Sequence, residues 1–429
     1  MSSKRTLFRL ALSAAAALWI VSGFPLASQA DSAKDPAAGP SFTLTVGGLE
    51  PITGELSTLA QPLQTGAQVA VTQINKALKQ AGSSIKVQLK IADSQGDATA
   101  AVSGARQLLS EGATCINGPA TTFESIPVVK TVLFPQKVPM INPDATSVTF
   151  TQLGKQYHYV YRISPPDNIQ GKVLALLAAK YLKGAKGKVV AFAGRNDPYG
   201  TGLADFFSLN WKKQGGKVEG PFLSDQSQAS YDAEAAQIVK GNPAGFAVGD
   251  YPDTFGKLAA ALLRTGKFSA KKLFFSDTLA LNSIPNTIPA NALNGAHGTT
   301  PDSPSKTKIA KYFNKLYRST RGAVAGAYTA NGFDALMLCA FAAIEAHSNS
   351  GQAINKYIRP VATPGGTKFS ILNLVTGVKA ALAGKKIHYI GVTGPLNLDK
   401  NGDPTGGTYD TVTYVNGTMK ILNQQFVSR

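Results

Sequence analysis

From residue 42 to residue 275 the sequence alternates between short apolar runs of strand length and longer runs with helical spacing. Phe42 to Gly48 (Phe-Thr-Leu-Thr-Val-Gly-Gly) alternates as a strand does, and a Gly-rich turn through Glu50-Pro-Ile-Thr-Gly54 follows. Leu63, Ala67, Ala70, Val71, Ile74 and Leu78 then recur at the spacing of a helix buried on one face, and Gly82 ends it. Ile85 to Ile91 reads as a second strand closed by Asp93 to Asp97, with Thr99 to Glu111 as a second helix. Strands that alternate with helices in this way imply a parallel sheet with right-handed crossovers.

The next stretch, Gly112 to Thr151, carries two hydroxyl-bearing turns. Gly118-Pro-Ala-Thr-Thr122 follows the apolar run Thr114-Cys-Ile116, and Asn142-Pro-Asp-Ala-Thr-Ser147 follows Val138-Pro-Met-Ile141. If the two runs are parallel neighbours, both turns lie at the carboxyl edge of one sheet, where open α/β sheets bind ligands. Free backbone N–H groups and threonine hydroxyls in such turns suit a small anion such as a carboxylate.

Around Tyr159 to Asp167 the rhythm pauses, and Pro165-Pro166 cannot continue regular structure, which places a crossing between domains there. The alternation restarts with helix Gln170 to Tyr181, strand Lys188 to Ala193, helix Gly202 to Gln214 and strand Lys217 to Phe222. Helix Ala233 to Lys240, strand Gly245 to Val248, helix Thr254 to Thr265 and strand Lys272 to Phe275 follow, so a second βα domain is expected. Beyond Thr300 the pattern predicts a helix over Ser305 to Tyr317, a long apolar helix over Tyr328 to Ala346, and a strand over Tyr409 to Val415.

Residues 1–30 read as an export signal. Lys4, Arg5 and Arg9 precede an apolar run from Leu10 to Phe24, and Ser28-Gln-Ala30 is a small-residue cleavage site. Residues 31–40 form a leader rich in Ala, Ser and Pro, and the mature protein is expected in the periplasm, cut after Ala30. A chain of 429 residues is too long for one core, so length adds to the case for two domains or more. The formal charge of +18 comes from lysines scattered singly or in pairs, with no basic run interleaved with aromatics, so nucleic acid is not expected as a partner. Cys115 and Cys339, the only cysteines, both sit in apolar contexts and read as two buried thiols. A disulfide is the open alternative, because its geometry is not written in the sequence.

No His-Glu-x-x-His and no Gly-x-Ser-x-Gly is present, and His158, His297, His347 and His388 fall in unrelated segments, so an enzyme is not expected. Neither a cofactor nor a metal is expected. Asp399-Lys-Asn-Gly-Asp403 lacks the later Glu of a calcium loop and reads as a hairpin turn.

In order and spacing, a set of motifs resembles the type I periplasmic binding proteins, specifically the substrate-binding components of branched-chain amino acid ABC transporters. These are Gly47 to Gly66 with Thr53-Gly54, Asp93-Ser-Gln95 with Ala98 to Ala105, Gly118-Pro119, Val138-Pro-Met-Ile-Asn-Pro with Ala145-Thr146, Asp197-Pro-Tyr-Gly200, and Gly394 to Asp403. The resemblance implies an α/β protein of two Rossmann-like lobes with parallel sheets joined by three crossings. Lobe one would be residues 41–162 plus 300–393, and lobe two 163–299 plus 394–429. It further implies a monomer that traps a small ligand, an amino acid of the branched-chain type or another small carboxylate, between the lobes by hinge closure and passes it to ABC transporter permease subunits.

Carried over residue by residue, Thr122 and Thr146 fall where the family holds the ligand carboxylate with hydroxyls, and Ala145 shares the second of these turns. The carbonyl of Asp144 and the side chain of Asp277 fall where the ligand ammonium is met. Tyr199, Tyr251 and Tyr328 fall near aromatic groups that close over the ligand. Two positions depart from the pattern: Leu59 stands where some members carry an aromatic, and the family's disulfide partner near Asp93 is missing. Each site residue has a plainer role open to it. Thr122, Thr146 and Asp277 can cap helices, Tyr199 can be a turn aromatic, and Tyr328 a core residue. A sensor of the same fold, or a binder of a non-amino-acid carboxylate or amide, is the alternative; a sensor expects a membrane span and signalling domain downstream, and neither is written before Arg429.

Overall fold

The first strand, β1 (Thr43–Glu50), is buried from its second residue to its last because it lies inside a sheet, with neighbours on both sides and helices on both faces. The computed structural model describes residues 39–54 and 56–429; the export signal and the leader up to residue 38 lie outside the described residues. In the first lobe β1 is followed by α1 (Ser57–Gln80), β2 (Lys86–Asp93), α2 (Ala98–Ser110), β3 (Ala113–Asn117), α3 (Thr122–Val128), β4 (Met140–Asn142), α4 (Val148–Tyr157) and β5 (Val160–Arg162). The five strands are all parallel, in the order β2-β1-β3-β4-β5. Leu44 and Val46 pack into one core with α1, and Leu49 into another with α2, as the period of two requires.

The second lobe runs α5 (Asp167–Tyr181), β6 (Val189–Arg195), α6 (Pro198–Lys213), β7 (Lys217–Ser224), α7 (Asp232–Lys240), β8 (Gly245–Gly249), α8 (Pro252–Arg264), β9 (Leu273–Phe275), α9 (Ala290–Leu293) and β10 (His297–Asp302). The chain then returns to the first lobe with α10 (Lys308–Arg321), α11 (Thr329–Glu345), α12 (Gly351–Ala362), β11 (Thr367–Ser370), α13 (Leu374–Leu382) and β12 (Ile387–Ile390), where β11 and β12 pair as a separate two-stranded parallel sheet. It ends on the second sheet with β13 (Gly406–Val415) and β14 (Thr418–Ser428). That sheet is seven-stranded, β14-β13-β10-β9-β8-β6-β7, parallel except where β13 runs antiparallel to β10 and β14. The position taken from the sequence for one crossing, between residues 299 and 300, falls inside β10, so the strand carries the second sheet a few residues further.

Helix α11 is buried on every side from Thr329 to Ile344. It is sandwiched between the first sheet with α1 and the outer pair α12 and α13, which explains an apolar run with no polar face. Its middle corrects the reading of two free thiols: Cys339 is bonded to Cys115 on β3, with Cα atoms 6.1 Å apart. The pairing closes 224 residues of chain and joins the sheet to the helix that covers it, a distance that no local pattern encodes. Among the described residues no helix is long and apolar enough to cross a membrane.

Candidate functional site

The two hydroxyl turns follow neighbouring strands, β3 and β4, as the sequence implied. Gly118 opens the first with φ of 112°, and a Cβ there would lie 2.1 Å from the Leu49 carbonyl oxygen, so only glycine lets the backbone turn this closely. Asn142 ties the two turns together. Its Nδ2 donates to the Pro119 carbonyl (2.5 Å) and to Ser125 Oγ (3.0 Å), while its Oδ1 accepts the N–H groups of Asp144 (2.9 Å) and Ala145 (2.6 Å).

Capping in both turns falls to a neighbour of the expected ligand residue. Thr121 caps α3 by accepting from Glu124 N, and the Glu124 carboxylate accepts back from Thr121 N (3.1 Å) and its hydroxyl (2.8 Å). Ser147 caps α4 by accepting from Thr149 N. Thr122 and Thr146 are thereby released from capping, and Thr122 Oγ1 is buried with no hydrogen-bond partner.

Arg162 fixes the second turn from below. It is wholly buried at the end of β5, and its guanidinium donates to the carbonyls of Ala145 (3.1 Å) and Ser147 (2.9 Å) while pairing with Asp403 at 2.8 Å. Thr151 and Arg429 complete the shell around Asp403. The 399–403 segment is accordingly a turn whose carboxylates serve Arg162 and Arg429.

The second lobe contributes a different wall. Asp277 follows β9 with its carboxylate facing inward; it does not cap the short 3-10 turn that it begins. Gln170 Nε2 (2.7 Å) and Tyr199 OH (2.8 Å) donate to Oδ1, and Tyr328 OH, reaching over from the N-terminus of α11 in the first lobe, donates to Oδ2. Burial raises the Asp277 pKa, and these three donors pull it back. Tyr251, at the start of α8, lies against Tyr199 with ring centres 5.3 Å apart and carries the Arg195 guanidinium on its ring at 5.0 Å. Ser147 Oγ also donates across the lobes, to the Pro198 carbonyl (2.6 Å).

All eight expected site residues, Thr122, Asp144, Ala145, Thr146, Tyr199, Tyr251, Asp277 and Tyr328, line one cavity, together with Leu59, Ala120, Thr121 and Thr278. The cavity measures about 20 Å³, little more than a single water needs. Burial, then the carboxyls of Glu124 and Asp277, raise the Asp144 pKa well above its ordinary value. Burial likewise lifts Glu124 to about 7.

The profile of the family described as periplasmic binding protein matches residues 43–418. The chain belongs to the periplasmic binding protein family. Its fold is that of the type I periplasmic binding proteins, the two-lobed α/β architecture expected from the motifs. It overlays the branched-chain amino acid transporter substrate-binding protein LivJ of Streptococcus pneumoniae, solved with isoleucine, at a TM-score of 0.72 and 20% identity, covering 90% of this chain and all of that one. A solute-binding protein of R. palustris in complex with benzoate overlays at 0.68 and 17% identity, over 90% of this chain and 98% of that one. At these identities the likeness concerns the fold. In sequence, the Leu/Ile/Val-binding protein BraC3 of Rhizobium johnstonii is 37% identical over 165 residues, 38% of this chain. The match spans 42% of that relative's length, less than half.

This periplasmic binding protein uses residues that sequence reasoning passed over. Gln170 holds Asp277 from behind, and nothing in its helical surroundings signals that. Thr121 was readable: Thr121-Thr122-Phe123-Glu124 has the Thr-x-x-Glu spacing of a capping box, which names Thr121 rather than Thr122 as the cap. Among the described residues no group of three His, Cys, Asp or Glu is placed to hold a metal ion.

Proposed function

We propose that this protein is the extracytoplasmic solute-binding component of an ABC importer, that it captures a small α-amino acid between its lobes by hinge closure, and that permease subunits are its partners. It performs no chemistry on the ligand. The observation that carries the reading is the division of labour in the two turns: Thr121 and Ser147 do the capping, which leaves the Thr122 hydroxyl, buried without a protein partner, to a guest in the cavity that the Thr146 turn also lines. A zwitterion needs both ends paired once it leaves water, and Asp277 supplies a buried carboxylate for the ammonium on the opposite wall. Charge-assisted hydrogen bonds contribute about 1.5–3 kcal/mol each, so several support a micromolar complex after ordering costs.

A thermal-shift screen of protein stripped of ligand by unfolding and refolding tests this reading. An amino acid at a hundred times its dissociation constant adds about 2.7 kcal/mol of apparent stability. Shifts with α-amino acids, together with a smaller radius of gyration on binding, support amino acid capture. Silence across amino acids with shifts from aromatic acids instead removes it, and leaves the binding of a different carboxylate.

A further inference from the structure

Asp277 and Asp144 line the same cavity from opposite lobes, and the protein treats them unequally. Asp277 is met by three donors. Asp144 is only 7% exposed, and no hydrogen-bond partner reaches its Oδ1. None of the residues lining the cavity is basic. The guanidiniums nearest the site already have carboxylates: Arg195 pairs with Asp250 at 3.5 Å, and Arg162 with Asp403. Behind Asp144 stand two more buried carboxyls, Glu124 and Glu50, which bring it no positive charge. A carboxylate in such a place needs a cation or strong donors brought to it.

We propose that Asp144 sets the specificity of the site, and that the ligand is a diamino acid: its α-ammonium rests on Asp277, its carboxylate on the Thr122 and Thr146 turns, and its side-chain ammonium on Asp144. The inference rests on the amino acid reading above and narrows it. An aliphatic side chain would bury the Asp144 carboxyl against carbon with no donor, whereas a second ammonium makes the ligand's charge match the two acidic walls.

Isothermal titration of the refolded protein with leucine, 2,4-diaminobutyrate, ornithine and lysine tests the assignment, on the natural chain and on Asp144→Asn. The natural chain should bind at least one diamino acid on the order of tenfold to a hundredfold more tightly than leucine, the range of a charge-assisted hydrogen bond. Asp144→Asn should lose that factor for the diamino acid, so that the ratio of diamino acid to leucine affinity falls about tenfold or more. Leucine binding more tightly than every diamino acid overturns the inference while the amino acid reading stands. Equal losses for both ligands in the variant overturn it too. If neither class binds the natural chain, the amino acid reading falls and takes this inference with it. The comparison on the natural chain needs no variant to fold.

Discussion

The two walls of the cavity are built on opposite plans. On the second lobe, Asp277 is held by Gln170 and Tyr199 of its own lobe and by Tyr328 across the cleft, so its direction is set before any ligand arrives. On the first lobe the backbone is fixed and the side chains are not: Asn142 and Arg162 lock the turns, while Thr122 Oγ1 and Asp144 Oδ1 are buried without partners. One wall is therefore a finished electrostatic surface, and the other is a rigid frame carrying unmatched groups. A ligand gains most where polar groups have no protein partner, because meeting them removes a desolvation penalty as well as adding a bond.

Breaking the frame should have the largest effect. Arg162→Ala removes the buried partner of Asp403, leaving it to Arg429 and Thr151, and frees two carbonyls of the ligand turn, so unfolding free energy should fall by up to about 3–5 kcal/mol in denaturant titrations followed through the buried Trp211. A loss below 1 kcal/mol would mean that the turn does not depend on this ion pair.

The acidity behind the first wall predicts a pH slope. Burial raises Glu124 to about 7, so between its ordinary value and about 7 the folded state keeps a proton that the unfolded chain has lost. Stability should fall as pH rises through that window, by up to about 1 kcal/mol per pH unit from this group, and level off above it. Asp144 and Glu50, raised in the same sense, add to the slope. Glu124→Gln keeps an acceptor for Thr121 and should flatten part of the curve; an unchanged slope in chemical denaturation from pH 5 to 8 would remove Glu124 as a source.

On the second wall, Asp277→Asn keeps the shape and removes the charge. Amino acid affinity should weaken tenfold or more, about 1.5–3 kcal/mol, while the ligand-free protein melts no lower than the natural chain. Unchanged affinity by titration calorimetry would take Asp277 out of the site.

Much of this was legible because it is periodic. The βα rhythm from β1 to β9 follows from apolar spacing, and the two turns follow from where that rhythm places strand ends. The region from α12 to β12 stands outside that rhythm: β11 and β12 pair only with each other, and Lys368 and His388 interrupt their apolar runs. The Cys115–Cys339 bond, the support of Asp277 by Gln170 and the grip of Arg162 on Asp403 join residues far apart in the chain, 224, 107 and 241 positions respectively, and periodicity carries no information about such pairs. Asp144 was placed at the site by its turn, but its unmet oxygen depends on what surrounds it in three dimensions.

The smallest effect is also the sharpest separation of frame from unmatched group, because it concerns adjacent threonines. Thr121→Val removes the oxygen that accepts from Glu124 N and the hydroxyl that donates to its carboxylate, so it should cost about 0.5–2 kcal/mol of stability. Thr122→Val removes a hydroxyl whose oxygen has no protein partner, so stability should hold or rise slightly, while ligand affinity should fall by about 0.5–1.5 kcal/mol. The pair must therefore cross: one variant less stable with affinity retained, its neighbour equally stable with affinity reduced. If both variants lose stability and neither loses affinity, Thr122 belongs to the frame, and the carboxylate end of the proposed ligand must be sought at Thr146 alone.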